Sequence, residues 1–210
     1  MLTSKQQAVI KRGLDIVGAA SLLVLTTPVI FSCALLVRVI SPGPAFFRQS
    51  RPGRGGQPFA LYKIRTMGTD ADLVFARLMR TDPCALKEWE TYGRLAEDPR
   101  LIPRVGRLLR RTSIDELPQL VNVLRGDMSL VGPRPLPSAV VEGLPAMAIE
   151  ARETVRPGLT GLWQVLGRSD LDLSQLLTLD EAYVANWSLA LDVQILLRTP
   201  VAVVCRRGAY

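Results

Sequence analysis

No histidine occurs in the 210 residues, and this removes Ser-His-Asp and Cys-His catalysis, histidine-ligated metals and a histidine general base. Acid-base or nucleophilic chemistry then falls to carboxylates. Cysteine is scarce: Cys33, Cys84 and Cys205 are odd in number and widely scattered. They indicate neither a disulfide framework nor a zinc site, and they fit a reducing cytoplasm. Acid is missing from a long stretch, since no Asp or Glu stands between Asp15 and Asp70. Internal repeats and low-complexity tracts are missing too. The chain is long enough for one domain with a sizeable core and at most a small appendage. Twenty-six Lys and Arg against 19 Asp and Glu give a net charge of +7, which suits phosphorylated substrates, acidic lipid head groups or nucleic acid. No nucleic-acid module is visible, and the basic residues flank an apolar segment instead of interleaving with aromatics, so no nucleic-acid partner is expected.

That apolar segment runs from Ile16 to Val37, 22 residues with Cys33 as the only ionisable side chain. As a helix it is roughly 33 Å long, about one hydrocarbon thickness. Lys5, Lys11 and Arg12 precede it, and Arg38, Arg48, Arg51 and Arg54 follow it. Positive residues mark the cytoplasmic side, so cations at both ends suit a hairpin that enters and leaves by one leaflet better than a simple span. Pro28 supplies the break, leaving halves of roughly 17 Å each. Thr26, Thr27, Ser21 and Ser32 offer hydroxyls to the freed carbonyls. A cleaved signal peptide with Ser32-Cys33-Ala34 as processing site is the bland alternative, but the run is too long for one and Phe31 spoils a lipoprotein match. The expected division is an N-terminal region, 1–44, containing the re-entrant helix 16–37, and a catalytic domain, 45–210.

Ser41-Pro-Gly-Pro44 ends the apolar helix. Residues 45–50 and 59–65 read as short strands around the turn Arg51-Pro-Gly-Arg-Gly-Gly56. Such a turn can hold a phosphate, but it lacks P-loop spacing, which favours a mobile hairpin tip. Residues 69–81 and 84–96 have helical apolar spacing. Between Ile102 and Arg111, Val105, Leu108 and Leu109 share one face while Arg104, Arg107, Arg110 and Arg111 crowd the rest, as in a solvated helix or one facing lipid or phosphate. The expected fold is α+β and mostly helical, with a short β-hairpin and surface amphipathic helices.

Ser113-Ile-Asp-Glu116 reads as a capping box opening a helix through Leu117, Leu120, Val121 and Leu124. The helix N-terminus would hold Asp115 and Glu116 ionised. An adjacent acidic pair in that setting is ordinarily a cap. Here it lies between the Arg107–Arg111 cluster and the loop Gly132-Pro-Arg-Pro135, whose prolines preset the position of Arg134. A carboxylate can attack phosphorus and form an acyl phosphate, given arginines and a hard divalent ion to neutralise charge.

At these residues the sequence resembles the monotopic phosphoglycosyl transferases, or bacterial sugar transferases. The resemblance covers almost the whole chain. It runs through Lys11-Arg-Gly-Leu-Asp15, Tyr62-Lys-Ile-Arg-Thr-Met67, Arg110-Arg-Thr-Ser-Ile-Asp-Glu-Leu-Pro-Gln-Leu120, Gly126-Asp-Met-Ser-Leu-Val-Gly-Pro-Arg-Pro135 and Arg156-Pro-Gly-Leu-Thr-Gly161, with Gln164, Gly167 and Arg168. It implies that Asp115 attacks the sugar-bearing phosphate of a UDP-sugar, releases UMP and passes the sugar phosphate to polyprenyl (undecaprenyl) phosphate. Glu116 would bind Mg2+ with Asp115. Lys63, Arg65, Arg111 and Arg134 would hold phosphates, and Arg156, Gln164 and Arg168 would contact the nucleotide sugar. The implied location is the cytoplasmic face of a bacterial inner membrane, among membrane lipids, with a homodimer allowed. Pro103 and Gly167-Arg-Ser169 depart from the familiar pattern, the second close to the presumed sugar site. The ending, with Tyr183, Asn186, Trp187, Ser188 and Asp192, resembles the catalytic part of larger hexose-1-phosphate transferases. The competing expectation is a non-catalytic basic adaptor that binds anionic lipid at the membrane surface.

Overall fold

The computed structural model describes residues 3–93, 95–167 and 171–205. It opens with α1 (Ser4–Ile40), 37 residues long and well beyond the apolar run at both ends. Thr3 and Gln6 close a reciprocal capping box at its start. The two half-helices expected around Pro28 are joined in one continuous helix. Pro28 withholds a hydrogen bond from the Val24 carbonyl. The Thr26 and Thr27 hydroxyls donate to the preceding carbonyls, of Leu22 at 2.7 Å and Leu23 at 2.6 Å, a back-bonding that bends helices.

One stripe of α1 is buried along its length, through Asp15, Ala19, Ile30, Ala34 and Val37. The rest presents apolar side chains outward, among them Val17, Val24, Leu25, Phe31 and Leu35. Ala19 joins Leu120, Val123 and Met128 in one core cluster, while Ile30 and Val37 join Ile64, Ile102 and Leu109 in another. Both halves of α1 therefore rest on the same body. Polar ties fix the two ends. Arg12 donates to the Val123 and Leu124 carbonyls, and the Asp15 carboxylate accepts from Ser129 Oγ and the Leu130 amide. Beyond the C-terminal end, Arg65 donates to the Ser41 and Pro42 carbonyls, each at 2.7 Å.

Strands β1 (Phe46–Pro52) and β2 (Pro58–Ile64) form the expected hairpin, in the register Arg48↔Tyr62 and Arg51↔Phe59. At its tip Arg54–Gly56 forms a 3-10 turn with Gly56 against the Glu153 carboxylate. Then come α2 (Ala71–Thr81) and α3 (Pro83–Tyr92). The apolar spacing carries α3 to residue 96, but Gly93 takes a left-handed φ of 64° and ends it. The remaining elements are α4 (Val105–Thr112), α5 (Gln119–Arg125), β3 (Ser129–Val131), α6 (Ser138–Val141), α7 (Ala146–Glu153), β4 (Gly158–Thr160), α8 (Leu162–Leu166), α9 (Leu173–Ala185) and α10 (Leu189–Cys205).

β3 and β4 pair in parallel, Ser129↔Gly158 and Val131↔Thr160. Their backbones cross so closely beyond β3 that a side chain on Gly132 would strike the Arg156 carbonyl and one on Gly158 the Gly132 backbone. That crossing fixes where the loop bearing Arg134 leaves the sheet. The C-terminal motif is spent on the same core. Tyr183 hydroxyl lies 2.8 Å from Asp192 Oδ1, Trp187 Nε1 donates to Asp192 Oδ2 at 3.2 Å, and Lys11 Nζ reaches the same oxygen at 2.6 Å. Thus α1, α9 and α10 are pinned together around one buried carboxylate.

Candidate active site

Asp115 and Glu116 lie in a 3-10 turn, Ile114–Glu116, between α4 and α5. The expected capping box does not form. Ser113 adopts a left-handed backbone (φ 56°, ψ 17°) that terminates α4, its side chain caps nothing, and Pro118 precedes the first residue of α5. The pair is thus set by a tight turn between two helices, not by a helix N-terminus.

The two carboxylates have different surroundings. Glu116 Oε1 accepts from Lys63 Nζ at 2.8 Å and Arg134 Nη2 at 2.7 Å, and Oε2 accepts from Arg134 Nη1 at 3.3 Å. Burial alone would raise its pKa, but the two cations hold it well below the usual carboxylate range. Asp115 is 5% exposed, and among the described residues no hydrogen bond reaches its carboxylate. Burial, then the neighbouring Glu116 charge, pushes its pKa up to about 6 against the pull of Lys63, Arg110 and Arg134. Of the two acids, Asp115 is therefore the harder to ionise. One carboxylate is locked and charged, the other held free.

Arg134 is fixed from three sides. Glu116 pairs with its guanidinium, the Trp163 ring centroid lies 5.3 Å from its Cζ, and Arg152 donates to its carbonyl oxygen while pairing with Asp180. A second chain of contacts comes from the opposite direction. Arg100 grips both oxygens of Asp98 at 2.7 Å and packs 4.4 Å from the Phe75 ring centroid. Asp98 and Thr66 then receive Arg110, whose charge acts on both Asp115 and Glu116.

Of the residues singled out from sequence, Asp115, Glu116, Lys63 and Arg134 come together. Arg65 does not join them: it is buried and spends its guanidinium on the end of α1. Arg111 is exposed, and Arg110 takes its place beside the acids. Arg156 Nε donates to the Gly126 carbonyl at 2.7 Å and stands near Arg12 and Arg54. Gln164 is buried in α8, and Arg168 lies outside the described residues. Sequence reasoning missed Arg152 and Trp163, and it read Arg110 only within a basic cluster and Arg51 only within a glycine-rich turn. Arg51 is buried on a strand exposed at every earlier position, near enough for Arg134 and Glu116 to act on its charge.

For a divalent ion the donor chemistry fits. Magnesium is ordinarily held by one or two carboxylates with waters and substrate phosphates completing its shell, and Asp115 and Glu116 are two adjacent hard oxygen donors. Among the described residues no group of three metal-ligating side chains occurs, so a shell made by protein alone is not expected.

A family model described as "Bacterial sugar transferase" matches residues 6–206. The "Undecaprenyl-phosphate galactose phosphotransferase" of Salmonella typhimurium is 42% identical over 209 residues, covering all of this chain and 43% of that protein. The "UDP-glucose:undecaprenyl-phosphate glucose-1-phosphate transferase" of Caulobacter vibrioides is 44% identical, covering 95% of this chain and 72% of its own length. The "Exopolysaccharide production protein ExoY" of Sinorhizobium fredii is 41% identical, covering 95% and 88%. The chain therefore spans under half of the Salmonella relative and most of the Sinorhizobium one.

Proposed function

The chain belongs to the bacterial sugar transferase family, and from that premise we propose that it is a phosphoglycosyl transferase. It moves a sugar 1-phosphate from a UDP-sugar to undecaprenyl or a related polyprenyl phosphate and so initiates polysaccharide assembly. The observation that carries this is the unequal pair: a nearly buried, unbonded Asp115 carboxylate beside a Glu116 locked by Lys63 and Arg134.

An Asp115 oxygen attacks the phosphorus that bears the sugar. The bond to the bridging oxygen breaks, UMP leaves with that oxygen, and an acyl phosphate remains. An oxygen of polyprenyl phosphate then attacks the same phosphorus, and Asp115 departs as a carboxylate. Lys63, Arg110 and Arg134 offset the charge gathered at the reacting phosphate, and the contacts around Arg134 keep it in place without rearrangement. Asp115 and Glu116 would hold Mg2+, which when bound neutralises phosphate charge. Arg156 and Gln164 remain proposed nucleotide-sugar contacts.

The helix α1 is long and apolar enough to cross a membrane. We propose instead that it enters and leaves the same leaflet, at the cytoplasmic face. Cations at both ends and the packing of both halves on one body support this.

The test is UMP release by the full chain in membrane mimetic, with a panel of UDP-sugars, polyprenyl phosphate and Mg2+. Release sustained only with all three present and abolished by Asp115→Asn is the expected outcome. The adaptor reading expects no UMP from any sugar and lipid binding that Asp115→Asn leaves unchanged.

A further inference from the structure

Resting on that reading of the site, we propose that Arg51 is a phosphate-binding residue of this active site, its guanidinium completing with Arg134 a cradle for a phosphoryl oxyanion. Strand β1 is exposed at every position up to Arg51, and Arg51 itself is 8% exposed. A buried position on a surface hairpin is normally apolar; here it is an arginine, the residue type least able to shed its charge. Its Nη2 donates to Gln49 Oε1 at 2.6 Å. Its Nε and Nη1 are buried with no acceptor among the described residues.

The charges do not balance at this point. Glu116 is matched twice, by Lys63 and by Arg134. Asp98 is taken by Arg100 and Arg110. Arg51 is left as a buried cation with no carboxylate paired to it among the described residues, and the charges acting on it are those of Arg134 and of the Glu116 that Lys63 and Arg134 already hold. An uncompensated buried cation with unmade hydrogen bonds is destabilising, unless an anion with several acceptor oxygens completes it. A phosphoryl group has that chemistry, and a planar guanidinium is shaped to meet two of its oxygens. The hairpin is a firm support for the task. Its 3-10 tip rests on Glu153 of α7, the same helix whose Arg152 holds the Arg134 carbonyl.

A diphosphate nucleotide and a polyprenyl phosphate both carry this group, and binding measurements without turnover tell them apart. The full chain and its Arg51→Met and Arg51→Lys variants are titrated at low salt with UDP, and separately with a short-chain polyprenyl phosphate in detergent, while melting is followed without ligand. Arg51→Met is expected to melt at the wild-type temperature or above and to bind at least one probe about ten- to hundredfold more weakly. Arg51→Lys, keeping charge but not the fork, is expected to fall between. Loss confined to UDP assigns Arg51 to the nucleotide, and loss confined to the lipid assigns it to the acceptor. Unchanged affinity of Arg51→Met for both probes overturns the proposal. So does an unfolded Arg51→Met beside an Arg51→Lys that binds both as wild type, since Arg51 would then be a structural cation. Because no turnover is involved, a failed UMP-release assay would count against the proposed reaction without deciding the role of Arg51.

Discussion

Asp115 and Glu116 are neighbours in the chain, yet the physics divides them. Three guanidinium and ammonium contacts keep Glu116 charged, and its charge, added to burial, makes ionisation of Asp115 harder. A carboxyl whose folded pKa is raised contributes stability that is complete below its unfolded value, about 4, and lost as pH rises through the folded value. For Asp115 that window runs from about 4 up to about 6. In metal-free buffer Asp115→Asn is therefore expected to melt higher than wild type at pH 7.5 and nearly with it at pH 4, by calorimetry at both. The same variant should lose at least about a thousandfold in UMP release, because the proposed nucleophile is gone. Glu116→Gln has the opposite stability outcome. It strands Lys63 and Arg134 as partly buried cations and is expected to destabilise by about 2 kcal/mol, read from urea midpoints at neutral pH.

At the level of elements, α4 shows why part of the site was legible in the sequence and part was not. Its charged and apolar residues announce a helix, but Leu108 beside Leu109 suggests an inward face one residue away from the real one. Leu108 is 54% exposed, whereas Val105, Gly106 and Leu109 are buried. Gly106 was the available signal: a side chain there would strike the Thr66 carbonyl. With that glycine inward, Arg110, four residues on, follows it toward the acids and Arg111 goes out with Leu108. The hairpin, α2 and the Asp115–Glu116 centre were legible from local pattern and motif. That Arg65 lies apart from the acids was not legible, because its partners, the Ser41 and Pro42 carbonyls, are backbone groups that carry no residue-type signal. Arg51 was legible only as part of a glycine-rich turn, because strand alternation does not tell which charged residue a neighbouring element will cover.

The tie between α1 and α10 gives a further prediction. Lys11 and Asp192 meet at 2.6 Å with little exposure, so Lys11→Met leaves a buried carboxylate with one fewer donor and is expected to cost about 3 kcal/mol. Guanidinium titration of Lys11→Met, Asp192→Asn and the double variant measures it. The double variant should be less destabilised than the sum of the singles.

On the scale of the whole molecule, the ties at both ends of α1 hold its outward apolar face on the body that carries Asp115; in the proposed reaction that face lies in the membrane, and the site lies where a soluble nucleotide sugar and a lipid phosphate meet. The re-entrant placement predicts that single cysteines at Lys5 and Arg38, introduced after Cys33, Cys84 and Cys205 are replaced by Ser, react with an impermeant maleimide from the same side of sealed inverted vesicles. Labelling from opposite sides would make α1 a simple span. The centre of the account, however, is the carboxylate at Asp115. The protein is incubated with a UDP-sugar that supports UMP release and Mg2+ without polyprenyl phosphate, quenched and digested for mass spectrometry. The account predicts a sugar phosphate on the peptide containing Asp115, discharged when polyprenyl phosphate is added. A sugar phosphate on any other residue, or UMP release by folded protein with no adduct at any time, would contradict it.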